Sequence, residues 1–142
     1  MEDDGLLNTL DDLGIGSIAF TPLAQGLLTS KYLQGVPEES RANQDKSLDR
    51  QKLTPELVEN LKALNELASG RGQTLAQMAL AWVLRGERMT TALIGASTTK
   101  QIVDCAGAVD RLDFTDSELS KIDKLSGDIG INLWAKSSET ES

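Results

Sequence analysis

Ile15-Gly16-Ser17-Ile18-Ala19-Phe20, running into Thr21-Pro22, and Thr91-Ala92-Leu93-Ile94, running into Gly95-Ala96-Ser97, are the two runs that decide the fold. Each is apolar and too short for a helix, so each reads as a buried strand. Pro22 carries no amide hydrogen, and the first strand must end at or just before it. Helical signals surround both runs. Leu6, Leu7, Leu10 and Leu13 recur at helical spacing within Asp3 to Leu13, and Gly14 stops that segment.

Further along, Thr54-Pro55-Glu56 offers an N-cap hydroxyl and a proline at the first helical position, ahead of the stripe Leu57, Leu61, Leu64 and Ala68. Thr74 with Gln77 has capping-box spacing, and its helix, Leu75 to Arg85, is apolar on nearly every side and should be tightly buried. Thr98 with Gln101 repeats the box before Ile102, Val103, Ala106 and Val109. Thr115 with Glu118 does so before Leu119, Ile122 and Leu125, with Gly127 as terminator. Thr21 to about Lys52 reads as a long loop with a turn of helix around Leu27 to Leu33. Strands alternating with helices imply an α/β fold with a parallel sheet, yet two strands cannot make one. The expectation is therefore an incomplete piece of a larger α/β fold, with two parallel strands and about five helices.

At 142 residues the chain has the length of one ordinary domain. With 14 basic against 22 acidic residues its net charge is −8, which argues against a nonspecific nucleic-acid or anionic-membrane binder. No run approaches the roughly 18 apolar residues of a membrane span. The acidic start Met1-Glu2-Asp3-Asp4 is unlike a secretory signal, and a single cysteine, Cys105, fits a reducing compartment such as the cytoplasm. There is no histidine, so no imidazole base or ligand comes from this chain. The acid pairs Asp3/Asp4, Asp11/Asp12 and Glu38/Glu39 read as solvated faces, and no metal site is expected.

Chemistry is expected where the strands hand over to their loops. Gly95-Ala96-Ser97-Thr98-Thr99-Lys100-Gln101 meets a helix start, where free N–H groups, hydroxyls and Lys100 make a phosphate seat. A plainer reading stands beside it: Gly-Ala-Ser before a helix is an ordinary capped turn. Likewise Pro22 can simply end a strand, Lys31 and Arg41 can be solvated charges, and Tyr32 and Trp134 can be packing anchors. Cys105 reads as a small buried hydrophobe rather than a reactive thiol.

Taken together, the two loops resemble a family. Phe20-Thr21-Pro22-Leu23-Ala24-Gln25-Gly26-Leu27-Leu28-Thr29-Ser30-Lys31-Tyr32 is similar to the seventh-strand loop of the aldo-keto reductases, and Ala92-Leu93-Ile94-Gly95-Ala96-Ser97 to their eighth strand and its turn. With the tail Ile131-Asn132-Leu133-Trp134, the chain most resembles the branch of that family holding the L-glyceraldehyde 3-phosphate reductases and potassium-channel β-subunits. The resemblance runs from Leu6 to Trp134 and implies the carboxyl-terminal part of a (β/α)8 TIM barrel. Residues 1–142 would then hold the sixth helix, strands seven and eight with their helices, an extra helix and the tail. By that resemblance Phe20 lies against the nicotinamide end of NADPH, and Thr21, Pro22, Leu23, Ala24 and Gln25 line the pyrophosphate. Lys31 and Arg41 belong to the loop closing over the cofactor. Gly95 and Ser97 meet the phosphate on the adenosine ribose, with Lys100 as the nearby charge, and Gln101 and Asp104 face the adenosine.

Departures from the family pattern leave NADP against NAD open. Asp104-Cys105 stands where the family usually has Glu then Asn, and Thr98 where close relatives can carry Arg. The catalytic Asp, Tyr, Lys and His of the family belong to the first half of the barrel. Tyr32, the only tyrosine, matches a position after strand seven, so no catalytic residue is expected in this chain. The implied function is NADPH-dependent reduction of a small-molecule aldehyde or ketone, with this chain supplying cofactor contacts and inactive alone. A non-catalytic nucleotide-binding module and a truncated product without function are the alternatives. The missing barrel half and a second copy are the partners left open.

Overall fold

The computed structural model describes residues 5–29, 54–86 and 89–126. Among these the order is α1 (Leu6–Asp12), β1 (Ile18–Phe20), a 3-10 turn (Ala24–Gly26), α2 (Pro55–Gly70), α3 (Leu75–Leu84), β2 (Thr91–Leu93), α4 (Thr99–Ala106), a second 3-10 turn (Gly107–Asp110) and α5 (Asp116–Leu125). The class is α/β, with two parallel strands and five helices among the described residues.

β1 and β2 pair directly, Ile18 with Thr91, Ala19 with Ala92 and Phe20 with Leu93. Their entrance is clasped from the side: the Ser17 N–H donates to Thr90 Oγ1 at 2.9 Å, and the Ser17 carbonyl accepts from the amides of Thr90 and Thr91. Both strands are shorter than expected, with Ile15 and Gly16 outside β1 and Ile94 outside β2. Nor are they buried. Ile18 and Phe20 are 67% exposed and Leu93 56%, while Ala19 and Ala92 on the opposite face are half-buried. Among the described residues each strand has a single strand neighbour, and the face carrying Ile18, Phe20 and Leu93 is open to solvent.

Helix boundaries follow the expected caps. Thr54 accepts from the Leu57 amide, and Thr74, Thr98 and Thr115 each form a complete capping box with Gln77, Gln101 and Glu118. The core lies among α2, α3 and α5: Leu57, Leu61, Leu64 and Ala68 meet Leu75, Met78 and Ile122, and Leu27 reaches in from the loop after β1 with no exposed surface. No strand residue belongs to that cluster.

Three local expectations differ in detail. In α1 only Leu7 is buried, whereas Leu6 and Leu13 are exposed. Around Leu27 a 3-10 turn over Ala24–Gly26 replaces the expected helix start, and the rest of that span lies outside the described residues. Over α4 and the 3-10 turn after it, Ile102, Val103, Ala106 and Val109 all face solvent, and Ala108 of that turn is buried. Among the described residues α4 packs chiefly on α3 and on the 3-10 turn that follows it.

A buried guanidinium ties the helices together. Arg71, just past α2, sends NH1 to within 2.7 Å of Glu118 Oε2. Its Nε donates to Gln73 Oε1 at 2.9 Å and NH2 to the Asp113 carbonyl at 2.9 Å, and the group stacks on Phe114. Arg111 closes the loop by donating to the Arg71 carbonyl at 2.7 Å. The Thr115 N–H, donating at 2.8 Å, and then Arg71 hold the Glu118 carboxyl below its ordinary range, against an opposing effect of burial. A carboxyl lowered by folding stabilises at pH above its unfolded value, and that contribution fades as pH falls through the folded value. Urea midpoints should therefore drop between neutral pH and about pH 3, and Glu118→Gln should flatten that part of the profile. Equal pH slopes for both proteins would contradict this assignment.

Candidate functional site

Because β1 and β2 are parallel and in register, both chains leave the same end of the sheet. Phe20-Thr21 and Leu93-Ile94-Gly95 therefore start side by side, the arrangement that places ligand loops at the carboxyl ends of α/β strands. Beyond Phe20 the backbone turns tightly. Thr21 and Ala24 hold φ of 57° and 46°, in the left-handed region that disfavours side chains. The Ala24 amide donates to the Thr21 carbonyl at 3.0 Å and the Gly26 amide to the Leu23 carbonyl at 2.9 Å. Thr21, Pro22, Leu23 and Ala24 are half-buried, Gln25 lies inside the 3-10 turn, and Phe20 is exposed. Buried Leu27 anchors this turn to the helical core.

After the second strand, Gly95 and Ser97 in the loop and Lys100 and Gln101 at the start of α4 are all exposed. Gln101 is occupied there. Its Oε1 accepts from the Ser97 N–H at 2.7 Å and the Thr98 N–H at 3.3 Å, while its own amide donates to Thr98 Oγ1 at 3.3 Å. The amides of Thr99 and Lys100, in the first turn, have no acceptor within the helix. Asp104 is turned elsewhere: its Oδ2 accepts from Thr74 Oγ1 at 3.3 Å, and its carbonyl accepts from Gln77 Nε2 at 2.8 Å. The start of α3 and the middle of α4 are thus stitched together by the Thr74–Gln77 cap. Lys31 and Arg41 lie outside the described residues.

Around Gly95 a Cβ would meet nothing within 4 Å, so the turn is open to a ligand. Amides, hydroxyls and one ammonium suit a phosphate ester. Nothing in the set suits proton transfer to a carbonyl. Burial, then the Asp104 charge, pushes the half-buried Cys105 thiol up, which keeps it protonated and unreactive at neutral pH. Among the described residues no cluster of three or more His, Cys, Asp or Glu gathers as metal ligands, and no helix is long and apolar enough to cross a membrane.

Thr98→Ala should cost about 1 kcal/mol, because the cap hydroxyl that receives the Gln101 amide is lost. A urea titration reads this directly, and an unchanged midpoint would show that the cap contributes nothing.

The sequence offered no signal for the Arg71 cluster, which joins groups separated by some forty positions. It is a stability feature remote from the strand ends, on the side of α2 and α5.

Paired parallel strands backed by helices, with their loops gathered at one carboxyl end, define a strand–helix α/β protein of the kind that binds ligands at that end. The aldo/keto reductase family model matches residues 1–127, and the chain belongs to that family. It is 47% identical to an L-glyceraldehyde 3-phosphate reductase of Escherichia coli O157:H7 over 143 residues, covering 98% of this chain and 41% of that protein. The corresponding reductase of Escherichia coli K12 is 46% identical over the same shares. A putative voltage-gated potassium channel subunit beta of Schizosaccharomyces pombe is 38% identical over 117 residues, 79% of this chain and 34% of that protein. The chain thus spans about two-fifths of the length of the reductases it matches.

Proposed function

We propose that this chain is the phosphate- and adenosine-binding portion of an NADPH-dependent aldo-keto reductase that acts on small aldehydes or ketones. The observation that supports the reading best is the register of β1 and β2, which sets Thr21-Pro22-Leu23-Ala24-Gln25 beside Gly95-Ala96-Ser97 at one end of the sheet. In this reading residues 1–142 form the sixth helix, strands seven and eight with their helices and an extra helix, and the tail of a (β/α)8 barrel. NADPH, when bound, supplies the hydride. The chain's own residues bind and orient: the Thr21 to Gln25 turn takes the pyrophosphate, and Gly95, Ser97 and Lys100 take the ribose phosphate. The Gln101 oxygen serves the Ser97 and Thr98 amides, so while that oxygen stays engaged the side chain meets the adenosine through its Nε2. Releasing that oxygen frees two further donors at the phosphate.

Similarity to L-glyceraldehyde 3-phosphate reductases supports a short phosphorylated aldehyde as substrate class. Proton delivery to the carbonyl has no candidate among these residues, so the isolated chain should not turn over. Mixed with NADPH and methylglyoxal, it should leave cofactor absorbance unchanged, while NADPH at a hundredfold excess over its Kd should add about 2.7 kcal/mol to stability. Steady cofactor consumption would overturn the division of labour, and a melt unmoved by NADPH would overturn the binding role. Kinship with a potassium channel β-subunit favours one further reading, a nucleotide-binding accessory module. That module would show the NADPH shift as well, and would remain inactive when the rest of a barrel is supplied.

A further inference from the structure

Gln77 serves two helices with one side chain. Its Oε1 accepts from the Thr74 N–H at 2.9 Å, which completes the cap of α3. Its Nε2 donates to the Asp104 carbonyl on α4 at 2.8 Å. A carboxamide has one oxygen and one nitrogen, so the cap decides which end faces α4. Thr74 adds a second tie, its Oγ1 donating to Asp104 Oδ2 at 3.3 Å. Asp104 is thus gripped at both its carbonyl and its carboxylate by the cap of α3. Gly107 makes room for the bridge, because a Cβ there would stand 2.7 Å from Gln77 Nε2.

We propose that Gln77 is a positioning residue: acting through Asp104, it sets the start of α4 where Gly95, Ser97 and Lys100 take the ribose phosphate. The inference rests on the cofactor reading above. Leu75 and Met78, on either side of Gln77, belong to the core, so the cap of α3 is a fixed point. Asp104 lies three residues after Gln101, one turn further along the same side of α4. Hydrogen bonds are directional, so two of them on Asp104 fix the rotation of α4 about its axis. That rotation decides where Ser97, Lys100 and Gln101 stand. Asp104, which the family pattern would turn to the adenosine, is the anchor here instead.

The test titrates the 142-residue chain calorimetrically with NADPH and with NADH, as parent, Gln77→Glu and Gly107→Ala. Glutamate keeps an oxygen for the Thr74 amide, as Glu118 does for Thr115, but cannot donate to the Asp104 carbonyl and repels its carboxylate. Gly107 holds φ of −63°, which alanine adopts freely, so Gly107→Ala acts only by displacing the Gln77 amide. Each substitution should weaken NADPH about tenfold, the scale of one lost hydrogen bond. NADH should weaken less, because it lacks the phosphate that the α4 start receives. On a Gln77→Ala background, Gly107→Ala should cost nothing further, since the amide it displaces is already gone. Urea midpoints establish which variants fold, and Gly107→Ala carries the test if Gln77→Glu does not. Unchanged NADPH affinity in a folded variant overturns the proposal. So do equal losses for the two cofactors, which mean general loosening, and additive losses in the double substitution. A parent that binds no NADPH is a different failure, which removes the cofactor reading and this inference with it.

Discussion

Arg71→Ala is expected to lose about 3–5 kcal/mol of stability, the usual cost of removing one member of a buried ion pair. The guanidinium is nearly inaccessible, with 1% of its side-chain surface exposed, while Glu118 retains 16%. Truncation would strand the Gln73 side-chain oxygen and the Asp113 carbonyl, and would empty the space above Phe114. Those groups belong to the turn before α3 and the segment before α5, so both helices would lose their fixed approach to α2. Arg71→Lys keeps the charge but cannot donate in three directions from one plane, and should recover only part of the loss. Urea titration of the three proteins decides the matter. A midpoint for Arg71→Ala close to the parent's would mean that the cluster is ornamental.

Leu27→Ala should cost about 2–5 kcal/mol, the range for truncating a fully buried leucine. Its second effect bears on function. Leu27 follows the turn that holds Thr21 and Ala24 in left-handed conformations, and its burial against α2, α3 and α5 opposes the relaxation of that turn. With the anchor gone, the turn should relax. NADPH should then raise the melting temperature less than in the parent, measured at equal cofactor excess. An unaltered NADPH shift alongside the stability loss would separate the turn from the core and remove its positioning role.

The helices were largely legible because their signals are local. Thr54, Thr74, Thr98 and Thr115 each cap the helix expected of them, since a hydroxyl and an amide three residues on need only the chain between them. The leucine stripe of α2 is buried as its spacing requires. Ile102, Val103 and Ala106 of α4 are also helically spaced and are exposed, because periodicity names the face that wants a partner and says nothing about whether one is present. Within the candidate site, the loop residues were legible only through their family pattern. Neither the engagement of Gln101 with the Ser97 amide nor that of Asp104 with Thr74 was visible in it, since one oxygen can serve a cap or a ligand equally well.

By itself the amino-acid sequence determined which segments are helix and strand, the absence of an imidazole base, and the family pattern of the two loops. These depend on neighbours in the chain or on composition. Tertiary structure alone decided that Phe20 lies opposite Leu93, that Arg71 reaches Glu118, and that one face of the strand pair is left uncovered. Register, burial and charge pairing join residues far apart in sequence, and only the balance of packing against solvent chooses among the pairings a pattern permits.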